Sequence, residues 1–276
     1  SCEATESIQS AHHEPNGAPL PEPWRGADSR AAGAGLARDV CGSPADAAQC
    51  ASGFAPHHIL GPAMHAAEST FPDFFADAPQ ITLRDPLAEF LGAARGGVMT
   101  YRYADAVRLA GHSCPTVAGA WLMTMQGLRA LYGQETPVRG EIEVLMQGGR
   151  EDGANGVIAT VVQLITGAAP ETGFHGIAGR FSRHQLLRFD QPVQGTLGLR
   201  RQDTGRAVQV ELDASVVPWT DEMRALLPRA AAGRASADEL ARFGALWQGR
   251  VRQMLVEHSD DPRLVRVAAW DAAVPA

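Results

Sequence analysis

His112 and Cys114 are the residues whose types and spacing come closest to chemistry. They stand two apart in Ala110-Gly111-His112-Ser113-Cys114-Pro115, directly before a long apolar segment, Thr116 to Tyr132. Pro115 suits the first position of a helix, where its missing N–H costs nothing. Ser113 is then the expected N-cap. The unpaired N–H groups and the positive end of the helix dipole face Cys114 and favour a thiolate there. A thiolate beside an imidazole can bind a borderline metal or attack an electrophile. The plainer reading is that a free cysteine is often just a small buried hydrophobe. A metal site also needs three or four ligands.

Further ligands would have to come from other histidines. His175 falls in a glycine-containing loop, Thr172 to Gly179, and His184 in an expected strand, Arg180 to Phe189. Five more, His12, His13, His57, His58 and His65, lie near the N-terminus. His58 and His65 are two helical turns apart and would share one face of a helix. The ordinary alternative for all of these is a solvated side chain. Haem held by Cys114 or a histidine is a variant reading, because Trp121, Met123 and Met125 follow closely in sequence and haem wants an apolar cavity.

Composition removes several function classes. The chain has 276 residues, a net charge of −7, and 24 basic residues that are all arginine. Without lysine there is no Schiff-base nucleophile and no phosphate-loop lysine. The acidic balance and the scattered arginines argue against nonspecific nucleic-acid binding. No apolar run is long enough to span a membrane, and no basic-then-apolar leader is visible, so a cytoplasmic location is expected. Cys2, Cys41, Cys50 and Cys114 are too few for a disulfide scaffold, although Cys41 and Cys50 could bridge locally.

The elements that must position these residues can be read in order. Residues 1–78, rich in Ala, Gly and Pro, form a loosely structured extension with short helical patches at 35–40 and 62–69. The core begins at Ile81. Pro86 to Ala94 is expected as a helix burying Leu87, Phe90 and Leu91, and Tyr103 to Ala110 as a second. The long helix follows, closed by Gly133. Val138 to Met146 alternates as a half-exposed strand, with Glu141 and Glu143 on its wet face. Asn155 caps a helix from Val157 to Thr166. Leu197 to Leu212 reads as a hairpin about Asp203-Thr204-Gly205. Asp221 to Ala232 and a capping-box helix from Ser236 to Glu257 come next, then a short strand, Leu264 to Trp270. The order predicts α+β, with helices packed on an antiparallel or mixed sheet. Its divisions are an extension (1–78), a core (79–215) and a helical C-terminal segment (216–276) that packs on the core or on a dimer partner.

The stretch Gly111-His112-Ser113-Cys114-Pro115 and its helix resemble the FmdE family, whose members are homologues of one component of formylmethanofuran dehydrogenase. The likeness continues through Gln163-Leu164-Ile165-Thr166-Gly167 and the hairpin Arg200 to Arg206, covering 85–215. It implies an α+β core, often a homodimer, with a metal held by His112 and Cys114. The family's C-terminal zinc finger is missing, since no cysteine follows Cys114. Ala110 and Thr116 stand where the family has histidine and glycine, and Val157 and Thr160 where it has cysteine and aspartate. His175 and His184 are then the expected replacements in the ligand shell.

Three function classes follow. The first is a zinc or iron protein, for metal handling or for metal-dependent chemistry on a small molecule. The second is metal-free catalysis by a Cys114 nucleophile with His112 as base. The third is a non-catalytic accessory or dimerisation module.

Overall fold

The computed structural model describes residues 70–271. The chain enters through a 3-10 turn, Asp73–Phe75, that buries Phe74 and Phe75. Phe75 meets Tyr103 edge-on at 4.9 Å between ring centroids, and Tyr103 meets Trp121 at 6.1 Å. The core therefore starts before Ile81, ahead of the expected boundary. A single turn is too short to show any hydrophobic period.

Strands β1 (Ile81–Arg84) and β2 (Val98–Tyr101) pair antiparallel. Between them lies α1 (Pro86–Phe90), which is shorter than the helix expected and buries no residue. Phe90 and Leu91 are 57% and 61% exposed, against the expectation of an apolar inner face. Gly92, Gly96 and Gly97 all have positive φ and turn the chain back before a second turn of helix can form.

Helix α2 (Tyr103–Ala110) buries Tyr103, Ala106 and Val107 and stops at Gly111, in the left-handed conformation. Helix α3 (Pro115–Tyr132) is apolar on nearly every side and correspondingly enclosed. Two glycines let it lie close to the sheet. A Cβ on Gly119 would collide with the Leu212 side chain, and one on Gly127 would come within 2.6 Å of Leu199.

The main sheet runs in the order β4-β3-β5-β6-β7. These are β3 (Ile142–Met146), β4 (Leu187–Arg188), β5 (Leu197–Arg201), β6 (Ala207–Leu212) and β7 (Val265–Ala269). Only β3 and β4 pair in parallel; the other neighbours are antiparallel. Helix α3 packs on β5, β6 and β7, and α4 (Asn155–Thr166) packs on β3 and α3. Val144, Leu199 and Val208 face them in register. Helices on one face of a mostly antiparallel sheet make the fold α+β, as the element order predicts.

Local details differ from the sequence reading. Asn155 is the first residue of α4 rather than its cap; the cap is Ala154, and Asn155 Nδ2 donates to the Gly149 carbonyl at 3.1 Å. The expected strand Arg180 to Phe189 shrinks to Leu187–Arg188, because Phe181 and Gln185 take left-handed φ values of 65° and 57°. Glu143 is not on a wet face. It sits between Arg188 at 3.0 Å and Arg200 at 3.1 Å, with its side chain 14% exposed. A strand with neighbours on both sides can be sheltered on both faces; Leu145, on the Glu143 face, is buried as well.

The C-terminal part carries α5 (Asp221–Ala231) and α6 (Ala237–Arg252), which runs on into a π-helical turn, Gln253–Glu257. Ser236 and Glu239 form the expected capping box. Val251, Met254 and Leu255 are fully buried in the core of the same chain, and β7 extends the sheet beside β6. Leu240, near the start of α6, is 48% exposed. Among the described residues no helix is long and apolar enough to cross a membrane.

Candidate metal centre

The turn from α2 to α3 holds His112 and Cys114. Gly111, at φ 74°, ends α2 and lets the chain reverse into α3 within a few residues. His112 is exposed, and its Nδ1 lies 2.9 Å from the Ala110 carbonyl. A carbonyl oxygen only accepts, so Nδ1 carries a proton here and Nε2 is the ring nitrogen left for another partner. This is the arrangement in which a histidine commonly offers Nε2 to a metal.

Cys114, not Ser113, is the N-cap of α3, as must follow when Pro115 is the first helical residue. Its Sγ accepts the Val117 N–H at 3.5 Å, and the thiol is free and half-buried. Ser113 does different work. Its hydroxyl lies 3.0 Å from the Tyr103 hydroxyl. Its carbonyl accepts from Trp247 Nε1 at 3.0 Å and from Gln248 Nε2 at 3.1 Å. Burial pushes the Tyr103 hydroxyl well above the usual tyrosine range, so it stays a neutral phenol at physiological pH. The residue between the two candidate ligands is thus fastened to α2 on one side and α6 on the other.

His175 and His184 come together, but elsewhere. Both lie in the loop that follows α4, with ring centroids 4.2 Å apart and planes inclined by 30°. Gly173 permits this, since a Cβ there would sit 2.8 Å from the His184 Cα. The loop is anchored by its own Arg183, whose Nη2 donates to Asp85 Oδ1 at 2.7 Å. Arg139 Nη1 holds the other carboxylate oxygen at 2.9 Å. The rest of the Arg139 guanidinium donates to the Leu164 and Ile165 carbonyls at the end of α4. Burial pushes the Asp85 carboxyl up. The Ala88 N–H and the two guanidinium groups outweigh it and hold the group below the usual carboxylate range.

The four expected ligands therefore fall into two pairs, one at the start of α3 and one in the loop beyond α4. No group of three His, Cys, Asp or Glu side chains that could hold a metal occurs among the described residues. The shared four-ligand shell expected from the sequence is not assembled there, because the Asp85–Arg183 ion pair holds the histidine loop at the C-terminal end of α4. Val157 is half-buried against the core and Thr160 donates to the Gly156 carbonyl at 2.7 Å, so neither replaces the ligands missing at those positions. Trp121 and Met123 are fully buried and Met125 nearly so, packed within the core. His12, His13, His57, His58, His65, Cys2, Cys41, Cys50 and the two short N-terminal helices lie outside the described residues.

Sequence reasoning passed over Tyr103, Trp247 and Gln248, which steady the turn. The one available signal was the indole N–H of Trp247, a donor that must find a partner when enclosed. No protein-family model matches the chain, and no curated protein matches it either.

Proposed function

We propose that this is an FmdE-like metal-binding protein in which His112 and Cys114 hold zinc or iron at the N-terminal end of α3. The observation that carries the reading is the 2.9 Å contact from His112 Nδ1 to the Ala110 carbonyl, which leaves Nε2 available as a donor. Mixed thiolate and imidazole ligation suits zinc. Two protein ligands leave positions open for water or for a small molecule. A bound ion would supply Lewis acidity or an activated water at such open positions. The chain's own part is positional: the Tyr103, Trp247 and Gln248 bonds fix the Ser113 peptide between the two ligands.

The test is cobalt(II) and zinc(II) titration of the full chain, purified without a histidine tag and stripped with chelator. One equivalent of cobalt with a thiolate-to-metal absorption band is expected. Cys114→Ser should abolish the band, and His112→Ala should weaken binding by at least tenfold, by comparison with the roughly 10–100-fold cost of losing an outer-shell partner. His175→Ala and His184→Ala should leave it unchanged. A folded protein that takes up no metal, with Cys114 alkylating rapidly, would replace this reading by the nucleophile one.

A further inference from the structure

Arg250 is buried, 7% exposed, on α6, and no carboxylate among the described residues pairs with it. Its Nε donates to the Val217 carbonyl at 2.6 Å and its Nη2 to the Ala214 carbonyl at 2.9 Å. That occupies two of five N–H donors. The Trp219 ring lies 5.5 Å from the guanidinium carbon and eases the charge without neutralising it. Buried cations are ordinarily matched by a counter-charge, because carbonyl dipoles alone recover only part of the lost hydration.

The guanidinium lines a cleft of about 190 Å³ between α5 and α6, with Thr220, Met223, Arg242, Ala245, Leu246 and Gln253 around it. The space exceeds the roughly 30 Å³ share of one water and falls below the roughly 300 Å³ of drug-sized sites. The acids nearby are already engaged. Glu222 is held by Arg242 through both oxygens, at 2.7 Å and 2.6 Å. Asp221 lies 3.9 Å from Arg224 and is fully exposed. Two arginines line the cleft; Arg242 is matched by Glu222, so the charge left without a carboxylate is that of Arg250.

We propose that this cleft binds a short-chain monocarboxylate, its two oxygens on the open side of the Arg250 guanidinium and its apolar body against Met223, Ala245 and Leu246. A guanidinium meets a carboxylate through two parallel hydrogen bonds, and a single net charge calls for a monoanion. Thr220 and Gln253 add a hydroxyl and an amide to the lining. The site is independent of the His112–Cys114 turn.

The test is calorimetric titration of the full chain with sodium propionate, propionamide, inorganic phosphate and sodium chloride at constant ionic strength. Saturable binding of propionate is expected, with propionamide and chloride at least tenfold weaker. Ala245→Trp should fill the cleft and abolish propionate binding while its melting curve and circular dichroism stay those of the parent, since Ala245 is exposed. Arg250→Gln should also lose binding. It removes the ties to Ala214 and Val217 as well, so Ala245→Trp is the deciding variant. Chloride or phosphate binding as well as propionate, or Ala245→Trp binding like the parent, would overturn the proposal.

Discussion

Asp85 shows what one residue does for the rest. It caps α1 through the Leu87 and Ala88 N–H groups, and its two oxygens hold Arg139 and Arg183, so one carboxylate ties together three distant parts of the chain. Glycine makes room for the second cation: a Cβ on Gly167, at φ 73°, would collide with the Arg183 guanidinium. Asp85→Ala leaves two arginines in a sheltered site without their anion and is expected to cost about 3–5 kcal/mol in urea unfolding at pH 7. The folded-state pKa lies below the unfolded one, so the ionised group stabilises fully above the unfolded value of about 3.9 and loses that contribution as pH falls through the folded value. Asp85→Asn should therefore lose less stability than the parent between pH 5 and 2; parallel pH profiles would remove Asp85 from the acid response. None of this showed in the sequence, where Asp85 is only an acid before a proline. His112 and Cys114 were legible because their relation is local, set by a glycine stop and a proline start.

At the scale of elements, the glycines of α3 explain how an apolar helix seats itself on a sheet. Gly119 faces Leu212 and Gly127 faces Leu199 and Val210. Gly119→Ala gains helix propensity but pushes against a packed leucine, and overpacking typically costs about 1–3 kcal/mol. The obstructing atom is the tip of a side chain, so Leu212→Ala should relieve it. The double variant is expected to be more stable than the two single effects summed, by a coupling of at least ~0.5 kcal/mol. Simple additivity in denaturant melts would mean that α3 and β6 do not meet as described. Elements with a sustained period, α2, α3 and the β5–β6 hairpin, were readable from the sequence. The stretch Arg180 to Phe189 was not. It reads as a strand, but the buried Arg183 commits it to Asp85, and two left-handed residues pay the conformational cost.

For the whole molecule, the C-terminal segment belongs to the core. It supplies β7 to the sheet, it buries Val251, Met254 and Leu255, and Trp247 and Gln248 of α6 hold Ser113 at the head of α3. A chain ending at residue 215 should show no cooperative urea transition, because those contacts and an edge strand vanish together. A cooperative transition near that of the full chain would show instead that 79–215 folds alone, as the expected domain boundary implies. Trp247→Phe keeps the packing and loses one hydrogen bond, and should lower stability by about 1 kcal/mol.

What the sequence determined by itself was whatever depends on near neighbours: helix starts and stops, the hairpin turn, the α+β order, and the pairing of His112 with Cys114 on one turn. Hydrophobic periodicity and glycine or proline at fixed offsets act over a few residues, so they can be read along the chain. The tertiary structure alone decided the meeting of His175 with His184, the Asp85 network, the Ser113 anchor and the uncompensated Arg250. Each of these joins residues that separate elements bring together. Burial, which turns an ordinary arginine or aspartate into a cation or anion needing a partner, arises only when those elements pack.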